Sequence, residues 1–287
     1  MEIWKTNEAR QSVLARYAQI LDFWPVANTR LHLSTSQGET FVIASGPEDA
    51  PAVLLLHGSM ANTTSWMGDV LALSQHFRVF ALDMIGEPGL SAPSRPPLAS
   101  DLYAKWLDEV LAGLGVERVA LVGISLGGWL ALDYATRRGD KVSAMALLCP
   151  GGVGATKNVL LWAAPLLLLG AWGRRRVMQR LGAGALAATN SSPAAKAFAA
   201  FTDLIQTHFI ARREALPRFS DGALKRLEMP VLAILGAKDA LLNSFETRER
   251  LGAHVARLDL RWLPSAGHFL IGHGAQIDEF LATALLR

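Results

Sequence analysis

The chain has 287 residues, of which 51% are hydrophobic and 18% are charged, and its formal net charge is +3 at pH 7. This composition excludes a disordered chain and supplies apolar side chains for a large core. The weak net charge, with no nucleic-acid motif, excludes nucleic acid as an expected partner. The single cysteine, Cys149, cannot form an intrachain disulfide. An early acid and no long apolar run near the start predict no signal peptide and a cytoplasmic location.

The periodicity of apolar residues predicts an α/β protein. An amphipathic helix over 8–22 precedes a β-hairpin formed by 30–36 and 40–45. Apolar strands then alternate with helices: strands at 53–56, 79–82, 118–124 and 142–149, and helices near 65–75, 99–113 and 126–138. The last predicted elements are a strand at 231–235, a helix near 244–253, a strand near 258–263 and a helix from about 270. Unbroken apolar strands between helices predict a mostly parallel, doubly wound sheet.

The regular alternation fails between two of these strands. We predict a helical cap over 151–222, inserted after the strand that ends near Cys149 into a core formed by 1–150 and 223–287. Its segment 159–173 is very apolar, but it is too short for a membrane span of about 20 residues. We interpret this segment as a buried helix that lines an apolar pocket. The alternative, which we favour less, is a lid that contacts lipid with help from the basic residues Arg174, Arg175 and Arg176.

The pattern Gly-x-Ser-x-Gly follows the third apolar strand. Residues 123–127 read Gly-Ile-Ser-Leu-Gly and lie between that strand and a predicted helix. This context is typical of a nucleophile elbow, a tight turn that holds a serine hydroxyl at the carboxyl edge of a sheet. Flanking glycines remove Cβ atoms that would clash in so tight a turn. The pattern predicts Ser125 as a catalytic nucleophile.

A serine nucleophile needs a histidine base and an acid that orients the histidine, in the chain order Ser, Asp, His. Asp239 follows the strand at 231–235, and His268 follows the strand near 258–263. Carboxyl ends of parallel strands meet at one edge of the sheet. We therefore predict a catalytic triad of Ser125, Asp239 and His268.

Two backbone N–H groups are expected to stabilise the oxyanion of the tetrahedral intermediate. One belongs to Leu126, the residue after the nucleophile. The other is expected in the loop after the first core strand, where Gly58 allows a sharp backbone turn; we predict Ser59, with Met60 as the alternative. His57 precedes the elbow and is interpreted as structural, as is Asp83.

These motifs together resemble the α/β-hydrolase superfamily. The matching segments are His57-Gly58, the elbow with Gly128, Asp239, and Ala266-Gly267-His268-Phe269. Within the superfamily, the loop 83–91 and the helix segment 105–108 are similar to those of bacterial carboxylesterases of the naproxen-esterase kind. The resemblance implies an α/β-hydrolase fold with a helical cap.

The resemblance implies hydrolysis of carboxylic esters through an acyl-enzyme, with no cofactor and no metal. Cap residues Trp162, Trp172, Phe198, Phe201 and Phe209 are expected to favour small to medium apolar or aromatic ester substrates. The segment 148–154 is similar to the meta-cleavage carbon–carbon bond hydrolases. That reaction, or cofactor-free perhydrolysis of the haloperoxidase type, is the alternative on the same triad. Nothing in the sequence sets the oligomeric state.

Overall fold

A single eight-stranded sheet organises the computed structural model, which describes residues 3–158, 160–178 and 193–286. Its strands are β1 (Asn28–Thr35), β2 (Gly38–Ser45), β3 (Ala52–Leu56), β4 (Arg78–Leu82), β5 (Val119–Ile124), β6 (Val142–Leu148), β7 (Val231–Gly236) and β8 (Leu258–Leu263). Their spatial order is β1-β2-β4-β3-β5-β6-β7-β8. β1 and β2 pair antiparallel, β2 also pairs antiparallel with β4, and every other pairing is parallel. The predicted fold class is confirmed.

Helices cover both faces of this sheet. The described α-helices of the whole chain are α1 (Asn7–Leu21), α2 (Val70–Leu73), α3 (Leu102–Gly113), α4 (Leu126–Arg137), α5 (Leu160–Leu167), α6 (Gly170–Met178), α7 (Pro193–His208), α8 (Asp221–Lys225), α9 (Ser244–His254) and α10 (Gly274–Leu285). In β3, Leu54 and Leu56 join the apolar core under α3 and α4, whereas Val53 and Leu55 join the core under α1, α2 and α10. Alternate side chains of a strand point to opposite faces, so a strand covered on both faces is apolar throughout.

The predicted helix over 65–75 is wrong. The chain forms a short 3-10 turn at Thr63–Trp66 and then the single turn of α2. The Asn62 side chain caps the 3-10 turn by accepting from the Thr64 N–H. Asp69, which precedes α2, does not cap that helix; its carboxylate accepts from the Gly274 N–H at 2.6 Å and holds the start of α10. Asp69 therefore joins the segment before α2 to the start of α10.

The described chain between β6 and β7 contains the helices α5, α6, α7 and α8, joined by turns and extended segments. The cap boundaries at 151–222 stay a prediction, and residues 159 and 179–192 lie outside the described residues. The prediction that the segment 159–173 is a buried helix is wrong, because Leu168 is 88% exposed and Leu169 is 57% exposed. These leucines lie at the turn between α5 and α6, where no described element covers them. No helix among the described residues is long and apolar enough to cross a membrane.

Helix α7 packs against the N-terminal region. Phe201 stacks on Tyr17 of α1, with ring centroids 6.0 Å apart, and Phe209 meets Trp4 edge-on at 5.3 Å. The backbones also pair, since the Ile210 N–H donates to the Ile3 carbonyl at 2.9 Å. Phe201 and Phe209 are therefore buried against the N-terminal region, and the apolar pocket expected of the cap stays a prediction. Burying one aromatic ring on α1 and another on Trp4, which precedes α1, holds α7 and the residue after it against the start of the chain.

Candidate active site

Ser125 lies in a strained turn between β5 and α4. Its φ is 55° and its ψ is −110°, a conformation that L-residues rarely adopt. A Cβ on Gly123 would lie 2.4 Å from the Gly127 carbonyl oxygen, and a Cβ on Gly127 would lie 2.0 Å from the Leu56 oxygen. Only glycine fits at either position. The turn keeps Ser125 partly exposed at the carboxyl edge of the sheet, as the elbow motif predicted.

The structure brings the three residues of the predicted triad into one hydrogen-bonded chain. The Ser125 Oγ lies 2.9 Å from His268 Nε2, and His268 Nδ1 lies 2.7 Å from the Asp239 Oδ2. Each residue comes from the end of a different strand: β5, β7 and β8. His268 and Asp239 are buried, whereas Ser125 is within reach of a substrate. This arrangement matches the geometry that allows a histidine to take the serine proton.

The Asp239 carboxylate is held as an anion. Its Oδ1 accepts from the backbone N–H groups of Leu241 at 2.7 Å and Leu242 at 2.9 Å. Burial alone would raise the pKa of Asp239, but the hydrogen bond and charge of His268, together with these two amides, outweigh burial and lower the pKa below its usual value. The Lys157 Nζ donates to the Asp239 carbonyl at 2.6 Å, a contact that sequence analysis missed.

The loop after β3 lies against the nucleophile. A Cβ on Gly58 would be 3.6 Å from the Ser125 Cβ, so the backbone of this loop borders the reaction space. Leu126 is the first residue of α4, where a backbone N–H has no acceptor within the helix. The Met60 N–H, in contrast, already donates to the Glu87 Oε2 at 2.7 Å. The Met60 N–H is therefore bound to Glu87, whereas the N–H of Ser59, the other candidate in this loop, donates to no acceptor among the described residues.

His57 is buried within hydrogen-bond distance of two backbone groups. The Met84 N–H donates to His57 Nε2 at 2.9 Å, so the ring proton is on Nδ1, which lies 2.8 Å from the Gly58 carbonyl oxygen. Burial lowers the pKa of His57 to about 4, although the bond to Gly58 acts in the opposite direction. A neutral ring with both nitrogens bound to the backbone is a structural group, in agreement with our interpretation.

Two buried acids follow β4 at the same edge of the sheet. Asp83 accepts hydrogen bonds from the Tyr17 hydroxyl and from the N–H groups of Thr63 and Leu90, so it joins α1 to the loops beside the site. Glu87, which accepts from the Met60 N–H, was not anticipated from the sequence. Its position between Gly86 and Pro88 gives no indication that the side chain is buried.

One group of potential metal ligands occurs among the described residues. Ligand atoms of Cys149, Asp239 and His268 lie within 4.8 Å of one another. Both ring nitrogens of His268 are already engaged with Ser125 and Asp239. Burial, followed by the charge of Asp239, raises the pKa of the Cys149 thiol far above its usual range, whereas a metal requires the thiolate. The geometry fits a hydrogen-bonded triad better than a metal site.

Comparison with known families decides the classification of this site and fold. The model of the alpha/beta hydrolase family matches residues 53–281, which include all three residues of the predicted triad. The chain belongs to the α/β hydrolase family. The match also covers β3 to β8 and the inserted helices.

Several relatives of this α/β hydrolase are similar over most of its length. It is 28% identical to carboxylesterase YbfK of Bacillus subtilis over 268 residues, which are 88% of this chain and 86% of the relative. The crystal structure of naproxen esterase from Bacillus subtilis is 25% identical with a TM-score of 0.81, and 99% of each chain is covered. A meta-cleavage product hydrolase from Pseudomonas fluorescens IP01 has a TM-score of 0.70 at 21% identity, with 88% and 98% of the two chains covered. The similarity to the meta-cleavage product hydrolase shows a shared fold and nothing about activity.

Proposed function

We propose that this α/β hydrolase is a serine carboxylesterase that acts through an acyl-enzyme. The observation that carries the proposal is the hydrogen-bonded chain from Ser125 through His268 to Asp239, in a protein similar to carboxylesterases. A serine hydroxyl is a weak nucleophile until a base removes its proton. The 2.9 Å contact gives His268 Nε2 direct access to that proton.

The geometry supports a two-step reaction. The Ser125 Oγ attacks the ester carbonyl carbon while its proton passes to His268 Nε2, and the carbonyl oxygen becomes an oxyanion. The intermediate then collapses, the bond to the alcohol oxygen breaks, and the alcohol leaves with the proton from His268. Water, deprotonated by the same imidazole, then attacks the acyl group and releases the acid. Asp239 stays ionised throughout and stabilises the imidazolium formed in each step.

The oxyanion hole is assigned to the N–H groups of Leu126 and Ser59. Leu126 supplies a free N–H at the start of α4, where the helix dipole favours negative charge. Ser59 is preferred over Met60 because the Met60 N–H is bound to Glu87. Donors held rigidly in place stabilise the developing charge without reorganisation during the reaction.

The substrates are assigned as small to medium esters with apolar or aromatic groups. Apolar residues next to the triad support this assignment: Met60 and Ile124 are partly buried near Ser125, and Phe269 and Ile271, which follow His268, are 37% and 36% exposed. We propose that these four side chains form an apolar rim around the site and that a cap over 151–222 covers it. Burial of apolar groups gives most of the binding free energy in such sites.

The experiment that tests the proposal compares two substrate panels on the purified enzyme. One panel contains p-nitrophenyl esters, and the other contains vinylogous diketones of the meta-cleavage type. We expect turnover of the esters to exceed turnover of the diketones by orders of magnitude. Turnover of the diketones with inert esters would overturn the proposal and favour carbon–carbon bond hydrolysis on the same triad.

A further inference from the structure

A buried carboxylate lies behind the loop that carries Ser59. Glu87 is 3% exposed, and its Oε2 accepts from the Met60 N–H at 2.7 Å. Met60 directly follows Ser59, so this bond fixes the peptide plane next to the one that contains the Ser59 N–H. Only the φ and ψ angles of Ser59 separate the two planes.

Met60 adopts a conformation that needs such a restraint. Its φ is 58°, in the left-handed region that residues other than glycine occupy only at a cost in free energy. A strained residue of this kind persists only where surrounding contacts hold it. The hydrogen bond from the Met60 N–H to the Glu87 carboxyl group is such a contact.

Other hydrogen bonds also join the loop at 57–62 to the loop at 83–91, but they act at different residues. The Met84 N–H donates to the His57 ring, and the Asn62 Nδ2 donates to the Pro88 carbonyl at 2.8 Å. These bonds hold the two ends of the loop that runs from 57 to 62. Glu87 acts in the middle of that loop, beside the residue assigned to the oxyanion hole.

The charges of two arginines act on the Glu87 carboxyl group. Burial raises the pKa of Glu87 to about 7, while the Met60 N–H and the charges of Arg95 and Arg212 act in the opposite direction. The Arg95 Nη2 donates to the Ile210 carbonyl at 2.7 Å, so this charge cluster also joins the end of the insertion to the site. Glu87 therefore has two separable properties, a charge beside the arginines and an acceptor within reach of Met60.

We propose that Glu87 is a positioning residue for the oxyanion hole: by binding the Met60 N–H, it orients the Ser59 N–H toward the oxygen of the intermediate. The proposal rests on the serine-hydrolase function proposed above. It assigns the effect of Glu87 to the reach of its acceptor atom and not to its charge.

Two substitutions separate reach from charge. Glu87→Gln keeps an acceptor oxygen at the same distance and removes the charge, whereas Glu87→Asp keeps the charge and shortens the side chain by one methylene. We expect Glu87→Asp to lower kcat and the rate of Ser125 labelling by a fluorophosphonate probe about 10- to 100-fold, less than the loss of a whole oxyanion donor. We expect Glu87→Gln to retain most of both rates, and KM to change little in either variant.

Asp133→Asn is the matched control, because Asp133 is a second buried acid whose pKa burial raises, yet it pairs with Arg137 on α4. We expect it to leave kcat and labelling unchanged. The proposal is overturned if Glu87→Asp reacts as fast as the unaltered enzyme, or if Glu87→Gln loses more than Glu87→Asp. Labelling needs no ester, so an enzyme that labels at Ser125 but turns over no ester contradicts the esterase function and still reports on Glu87. An unaltered enzyme that does not label contradicts both.

Discussion

His268 Nδ1 lies 2.7 Å from Asp239 Oδ2, and both side chains are almost completely removed from solvent. This contact places the ring proton of neutral His268 on Nδ1, which leaves Nε2 as the acceptor that faces Ser125. A carboxylate whose pKa is lowered stays ionised at neutral pH, so it also stabilises the positive charge that forms on the ring. The pair therefore sets both the direction and the timing of proton transfer.

The first prediction concerns Asp239→Asn. The amide can no longer stabilise the imidazolium and can favour the wrong tautomer, so we expect kcat to fall about 10³- to 10⁴-fold with little change in KM. Steady-state kinetics on an ester measure both. Asp278→Asn is the control, because Asp278 pairs with His76 at 3.0 Å on the surface and this change should leave kcat unaltered. A loss below tenfold in Asp239→Asn would mean that Asp239 does not orient His268.

The second prediction concerns the elbow glycine Gly127. A methyl group there would collide with the Leu56 carbonyl, at 2.0 Å, and the neighbouring His57 oxygen, at 2.6 Å. We expect Gly127→Ala to lower the free energy of unfolding by at least about 3 kcal/mol, as severe backbone clashes do. Thermal and urea unfolding measure the change.

Gly252→Ala is the matched control for that substitution. Gly252 lies in α9, and a Cβ there meets no atom within 4 Å. We expect this variant to be as stable as the unaltered protein or up to about 1 kcal/mol more stable, since alanine is the better helix former. Equal stability of the two alanine variants would contradict the tight packing described for the elbow.

The parallel core was predictable because fully buried strands are apolar at every position. The strands predicted at 53–56, 79–82 and 231–235 differ from β3, β4 and β7 by one residue at an end. The proximity of Ser125, Asp239 and His268 was predictable for a related reason, since the ends of parallel strands share one edge and each of these residues follows a strand.

Contacts between distant segments were not predictable from local pattern. The helix predicted over 65–75 is interrupted at 67–69, and Asp69 bonds to Gly274, more than two hundred residues away, a contact that has no signal in the local pattern. The stacking of Phe201 on Tyr17 was not anticipated, because nothing in the sequence shows that α7 packs on α1. Glu87 was overlooked because a loop acid is normally exposed, and its burial depends on the arrangement of several loops.

The third prediction is a pH dependence of stability due to Glu87. The unfolded group loses its proton near pH 4.5, whereas the folded group retains it to about 7. Between these values the folded state binds more protons, so this group makes stability fall as pH rises and adds no further change above about 7. Glu87→Gln lacks this titration. We therefore expect the Tm of the variant, minus that of the unaltered protein, to increase from about pH 5 to about pH 8.

Comparing variant with unaltered protein at each pH isolates Glu87 from other titrating groups. His57, whose pKa burial lowers to about 4, makes stability rise with pH across a similar range, but it contributes equally to both proteins. A Tm difference that stays constant or decreases with rising pH would contradict the raised pKa of Glu87.

The fourth prediction concerns substrate charge. The proposed rim of Met60, Ile124, Phe269 and Ile271 consists of apolar side chains, so we expect a charged acyl group to lose hydration there without a compensating partner. We expect kcat/KM for p-nitrophenyl butyrate to exceed that for p-nitrophenyl hemisuccinate, which adds a carboxylate to an acyl chain of the same length, by about 100-fold or more. Equal values for the two esters would contradict the assigned substrate class.

The most direct test of the account is ester turnover by Ser125→Ala, with folding checked by circular dichroism and thermal unfolding. Without the Oγ no acyl-enzyme can form, so we predict that kcat falls by about 10⁴-fold or more, that fluorophosphonate labelling disappears, and that the fold is unchanged. A folded Ser125→Ala variant that hydrolyses esters at the rate of the unaltered enzyme would contradict the assignment of Ser125 as the nucleophile, and with it the proposed mechanism.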